Sequence, residues 1–231
     1  MCGRFTFAQV DNKKVVGDFH ITMTFDSKGK SLKDTQRFRE SFNIAPGSDQ
    51  LAIIKNSPNT GRYMRWGFKP AWFDRGEGVI NARAETANEK PMFKKAFASQ
   101  RCLIPATGFY EWAKIQQDSK PEKVPYFITL TNHPLFAFAG IYDVHKDAGG
   151  VEHYSFAIMT TEPNSLMEKI HNRMPVIIDK ADYDEWLDAG TKESVVRKMC
   201  VPYASAKMKA YIVSKNVNSP VNDRPDLILP I

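Results

Sequence analysis

The stretch Tyr126-Phe127-Ile128-Thr129-Leu130-Thr131 puts Tyr126, Ile128 and Leu130 on one side of an extended chain and Phe127, Thr129 and Thr131 on the other. That is the period-two pattern of a sheet strand. Working outward, residues 135–144, 154–160, 175–178 and 210–213 towards the C-terminus, and 108–112, 101–105, 62–68 and 51–55 towards the N-terminus, are further strand candidates. Polar runs at 116–123 and 146–152 are flanked by such segments and read as hairpin loops. Helix candidates are fewer and shorter. Residues 180–189 carry Tyr183, Trp186 and Leu187 at helical spacing, with Asp179 as N-cap and a stop at Gly190; 164–170 opens after Pro163; 91–99 and 7–19 complete the set. Strands outnumber helices without βαβ alternation. The expected fold is α+β, a single domain over residues 1–231, with a mainly antiparallel, curved or barrel-like sheet flanked by short helices.

The chain has 231 residues, 42% hydrophobic, 12% aromatic and 25% charged. It is long enough to bury a core without staples, which excludes disorder and small disulfide scaffolds. Cys2, Cys102 and Cys200 are an odd number with no CxxC spacing, against a disulfide framework or a cysteine zinc site and in favour of a reducing compartment. No apolar run resembles a secretory h-region or approaches the ~18 residues of a membrane span. A cytoplasmic protein, neither secreted nor membrane-spanning, is expected. Of the net charge of +6, a surplus of five lies between Arg62 and Arg101, where nine basic residues face four acidic ones and Trp66, Phe68, Trp72 and Phe73 are interleaved. Cations among aromatics suit a groove that tracks phosphates and stacks bases; a solvated basic face beside core aromatics is the alternative.

Cys2 follows the initiator Met1 and is small enough for that residue to be removed. A terminal cysteine then carries an α-amine and a thiol on adjacent carbons, a pair no internal residue offers. With a reference pKa of about 7.7–8.0, the amine is partly neutral near pH 7 and can form an imine with an aldehyde. The thiol can close on the same carbon to give a five-membered thiazolidine. A small buried residue of a first strand is the competing reading of Cys2. Asn81 and Arg83, following Val79-Ile80, would share one face of a strand or strand exit, an amide beside a guanidinium that suits a phosphate and a sugar oxygen. Glu111, between Tyr110 and Trp112, is a carboxyl whose burial would raise its pKa for proton transfer, unless it is a salt-bridged core residue. His171 lies between a helix end and a strand and could donate a proton near neutral pH. No HExxH, phosphate loop or GxSxG elbow occurs, so neither metal nor cofactor is expected.

Met1-Cys2-Gly3-Arg4-Phe5, Phe42-Asn43-Ile44-Ala45-Pro46-Gly47, Arg65-Trp66-Gly67-Phe68, Ile80-Asn81-Ala82-Arg83-Ala84-Glu85-Thr86, Gly108-Phe109-Tyr110-Glu111-Trp112 and His171-Asn172-Arg173-Met174-Pro175 together resemble the SRAP family, the SOS-response-associated peptidases. The resemblance covers essentially the whole chain. It implies an abasic-site processing protein of the DNA-damage response that binds single-stranded DNA and crosslinks to abasic sites through the N-terminal cysteine. It also implies autocatalytic removal of Met1, the source of the peptidase name, and leaves room for a lyase activity. Carried over by position, Cys2 is the nucleophile, Asn81 positions the amine or sugar, Glu111 is the acid/base and His171 assists sugar opening. Arg4 and Arg83 hold phosphates, Trp72 and Phe73 meet bases, and Asn43 and Lys90 join the DNA-binding set. The chain departs from the family at Pro91, where a basic contact is expected and Lys90 lies one place earlier; residues 11–40 match nothing. Abasic single-stranded DNA is the implied partner of a monomer associated with the nucleoid.

Two rival readings belong to other classes. A class II glutamine amidotransferase also begins Met-Cys-Gly and uses the cysteine thiol on an amide, but usually continues with Ile where this chain has Arg4. A DNA-binding module with an inert Cys2 would account for the basic stretch and leave Glu111 and His171 unexplained.

Overall fold

The computed structural model describes residues 2–32, 38–56, 59–73, 76–117 and 120–231. Met1, and Asp74 and Arg75 of the basic stretch, lie outside the described residues. In chain order the elements are β1 (Phe5–Phe7), α1 (Asn12–Phe19), β2 (Ile21–Phe25), β3 (Ser41–Ile44), β4 (Asp49–Ile54), β5 (Asn59–Trp66), β6 (Asn81–Arg83), α2 (Lys94–Ser99), β7 (Arg101–Ala106), β8 (Gly108–Gln117), β9 (Lys120–Leu130), β10 (Phe136–Lys146), β11 (Glu152–Thr161), β12 (Met174–Pro175), β13 (Ile177–Ile178), α3 (Tyr183–Leu187), α4 (Glu193–Met199) and β14 (Met208–Ile212). The larger sheet closes on itself. Strands β11, β10, β7, β4 and β5 pair antiparallel in that order, and β5 returns to β11 in parallel through Arg65 opposite Ser155 and Trp66 opposite Phe156. Closure removes the sheet edges that these strands would otherwise expose. The second sheet runs β14-β9-β8-β1-β3. The α+β, barrel-like expectation holds.

The chain passes from barrel to second sheet at Thr107, between β7 and β8. The transition is pinned on both sides: Thr107 Oγ1 lies 2.9 Å from Thr6 Oγ1, and Thr129 Oγ1 donates to the Thr107 carbonyl at 2.7 Å. Gly108 is required here, because a Cβ would fall inside the Phe127 ring and 3.0 Å from the Ile128 carbonyl oxygen. Phe5 of β1 joins the two sheets, meeting Trp66 at 5.2 Å and Phe138 at 5.7 Å between ring centroids. Phe109 of β8 meets the same Phe138 at 5.9 Å. All four rings are buried. A smaller core of Tyr110, Phe127, Val213, Val217 and Leu227 seals the other face of the second sheet with the C-terminal segment.

The helices are shorter than the sequence pattern predicts. Asp179 makes no side-chain cap; its carboxylate accepts from Tyr203 Oη instead, and residues 180–182 form a 3-10 turn ahead of α3. After Pro163, Asn164 Oδ1 takes the backbone N–H groups of Leu166 and Met167, which leaves a 3-10 turn at Met167–Lys169 in place of an α-helix over 164–170. The 7–19 candidate begins at Asn12, because Phe7 belongs to β1 and Asp11 caps the N–H of Lys13. Strands β8 and β9 extend through the polar run between them, pairing as far as Gln117 opposite Lys120.

Candidate active site and nucleic-acid interface

Strand β1 pairs with β8 through Phe5 opposite Phe109 and Thr6 opposite Gly108, and Tyr110 N–H donates to the Arg4 carbonyl at 2.9 Å. This ladder runs the N-terminal segment alongside Glu111. Alternation on β8 turns Phe109, Glu111 and Ala113 away from the face that carries Tyr110 and Trp112. Cys2 is fully buried. Strand β6 pairs in parallel with β11, Asn81 opposite Ile158 and Arg83 opposite Thr160, and this sets Asn81 Nδ2 to donate to the Cys2 carbonyl at 2.9 Å. Asn81 is nearly buried while Arg83, two places on, is exposed.

Burial pushes the Glu111 carboxyl up to about 7; the residue is only 3% exposed. Its aromatic neighbours in the sequence foreshadow that environment. Burial, with the Glu111 charge adding to it, pushes the Cys2 thiol well above its ordinary range, so at neutral pH the sulfur carries its proton. His171 follows the 3-10 turn at 167–169 and accepts the Arg173 N–H on Nδ1 at 3.1 Å. Burial, with the positive charge of Lys114 in the same direction, lowers its pKa, so its ring is neutral at pH 7. Glu111 and His171 share a cleft of about 470 Å³ whose walls include Trp112, Lys114, Lys123 and Asn218. The fold thus gathers residues from positions 2, 81, 111 and 171. A buried carboxyl near its midpoint at neutral pH, a neutral imidazole and a terminal thiol in one place can move protons to and from an electrophile.

The DNA-binding candidates separate. Arg4 Nη1 donates to Asn43 Oδ1 and to the Val217 carbonyl, both at 2.7 Å, and its guanidinium lies 5.9 Å from the Trp112 ring centre. Asn43 is 4% exposed, and its amide donates to the carbonyls of Val217, Ser219 and Asn222. The structure therefore places Asn43 behind Arg4, not at the surface. Trp72 is 63% exposed and meets Phe73 edge-on at 6.2 Å. Lys90 is exposed at the turn leading into α2, followed by exposed Pro91.

The basic stretch as a single surface is corrected. Arg101 is buried, donating to the carbonyls of Phe97, Ala98, Trp186 and Asp188. Arg62 lies between the rings of Phe25 and Tyr154, with its Cζ 4.9 and 3.9 Å from their centres. Arg65 pairs with Glu77 at 2.5 Å. What remains exposed is Arg83, Lys90, Lys94 and Lys95. Lys114, Lys123 and the Trp112–Asn218 contact of 2.7 Å were not singled out by sequence reasoning; their signal was the hairpin register. Among the described residues no cluster of three or more His, Cys, Asp or Glu could hold a metal, and no helix is long and apolar enough to cross a membrane.

The model of the SOS response associated peptidase (SRAP) family matches residues 1–220. The chain belongs to the SRAP family. It is similar to the abasic site processing protein YoqW of Bacillus subtilis, with 41% identity over 99% of both chains. It is also similar to the abasic site processing protein HMCES of Pongo abelii, with 28% identity over 86% of this chain and 67% of that one. A crystal structure of a protein from Bacteroides thetaiotaomicron superposes over the whole of both chains with a TM-score of 0.83 at 26% identity.

Proposed function

We propose that this SRAP protein binds single-stranded DNA at an abasic residue and, once Met1 has been removed, links Cys2 to the ring-opened sugar as a thiazolidine. The observation that carries this is the gathering around Cys2 of Asn81, hydrogen bonded to its carbonyl, and of Glu111, whose charge acts on its thiol and whose cleft also holds His171. The names of the relatives, abasic site processing proteins, supply the substrate class. The Cys2 nitrogen adds to the aldehyde carbon, and the carbinolamine loses water with a proton delivered by Glu111 in its acid form. The sulfur then adds to the iminium carbon while its proton passes to the Glu111 carboxylate. One water leaves overall. A carboxyl near pKa 7 can play both parts at neutral pH, and the thiol, protonated when it arrives, needs such a base. His171 assists opening of the sugar, and Asn81 fixes the Cys2 backbone so that the amine is aimed.

Arg4 and Arg83 hold phosphates on either side, Trp72 and Phe73 stack bases, and Lys90 adds a phosphate contact. Asn43 holds Arg4 in place. Mass spectrometry of the protein with an abasic single-stranded oligonucleotide tests the reading. The expected adduct has the summed mass less one water and survives heating, and Cys2→Ala leaves only an imine that borohydride must trap. A stable adduct formed by Cys2→Ala at the normal rate, or glutamine hydrolysis with no adduct, overturns it.

A further inference from the structure

The β8–β9 ribbon sets Lys114 directly opposite Lys123. Directly opposed side chains in an antiparallel pair share a face with Cβ atoms about 4.5–5.5 Å apart, and like charges placed there repel. Nothing within the described residues offsets the repulsion. Neither lysine has a carboxylate partner, and the adjacent acid, Glu122, is taken by Lys215. Both ammonium groups are exposed, and both line the cleft that holds Glu111 and His171. Lys114 also bears electrostatically on His171. Beyond Trp112, β8 has outrun β1, whose pairing ends at Phe5 and Thr6, so this part of the ribbon borders an open cleft. Arg4, beside the Trp112 ring, brings a third cation to the same end.

We propose that Lys114 and Lys123 form a clamp for the phosphates of a single strand on one side of the reacting residue, so that the bound anion relieves the repulsion between the two lysines. This rests on the crosslinking reading above for the direction of the strand, but not for the clamp itself. Lysine, a compact charge without a planar fork, fits a phosphate contact that ignores the base.

The test measures binding of an unmodified oligothymidine by fluorescence anisotropy across a salt series, for wild type, Lys114→Ala/Lys123→Ala and Lys123→Glu. The double variant is expected to bind at least ten-fold more weakly at low salt, with a log–log salt slope shallower by about 1.4, the value for two phosphates of a single strand. Lys123→Glu, which creates an ion pair with Lys114, is expected to raise the thermal midpoint and weaken binding further. Affinity and slope within two-fold of wild type would overturn the proposal. A crosslinking series on abasic oligonucleotides extended on only the 5′ or only the 3′ side places the clamp: the variants should lose efficiency with one series alone, and an equal loss with both defeats the one-sided assignment. If the slope shifts as expected but wild type forms no adduct, the crosslinking reading fails and the clamp stands.

Discussion

Glu111 is held in the fold at a cost, because its carboxyl is buried at 3% exposure and raised to about 7 from an ordinary value of 4.5. Between those two pH values the folded protein holds a proton that the unfolded chain has lost, so this residue lowers stability as pH rises from about 4.5 to 7, and the loss is complete above that. Glu111→Gln removes the titration. Its stability relative to wild type should therefore be greater at pH 8 than at pH 4.5, by on the order of 3 kcal/mol in urea unfolding. The same variant should form the adduct about 10²–10⁴-fold more slowly. If the difference in stability between variant and wild type does not change with pH, the carboxyl is not buried as described. The aromatic residues beside Glu111 made this burial legible in the sequence. The surroundings of Cys2 were not, since Asn81 and His171 reach it only through pairings of β6 and β11 and a turn near residue 170.

Asn43 on β3 ties that strand to a segment more than 170 positions later, through three backbone carbonyls. The same segment packs Val217 and Leu227 on Tyr110 and Phe127, and Phe42 N–H donates to Asp223 Oδ1. Asn43→Ala strands those acceptors and releases Arg4 from one of its two anchors. It should cost about 1–3 kcal/mol in urea unfolding and weaken single-strand binding although the residue itself is buried. Unchanged affinity would mean that Arg4 needs no such support. Long strands with two-sided patterns, such as β9 and β10, were readable because alternation is local. The short β2 and β3 gave no such run, and α4, with Val196 as its one buried residue, had no apolar stripe to announce it. Helix 164–170 and the Asp179 cap were misread for one reason: the side chains that could cap a helix found partners elsewhere, Asn164 on two adjacent N–H groups and Asp179 on Tyr203.

Across the whole molecule, Phe5, Trp66, Phe138 and Phe109 make one buried cluster out of two sheets, so neither sheet keeps a core of its own once that contact is lost. Trp66→Ala should cost about 3–5 kcal/mol and still give a single transition, with fluorescence and circular dichroism coincident; separate transitions for the two signals would show independent units. The parallel joint between β5 and β11 brings residue 65 next to residue 155, and it has a consequence in time. A ribosome adding about 5–20 residues each second needs roughly 5–20 s to go from Arg65 to Ser155, and longer to reach His171. Until then the barrel is open and the seat of Cys2 does not exist. The first residues made are among the last to find their place, so any step that depends on the assembled seat comes after translation has passed His171.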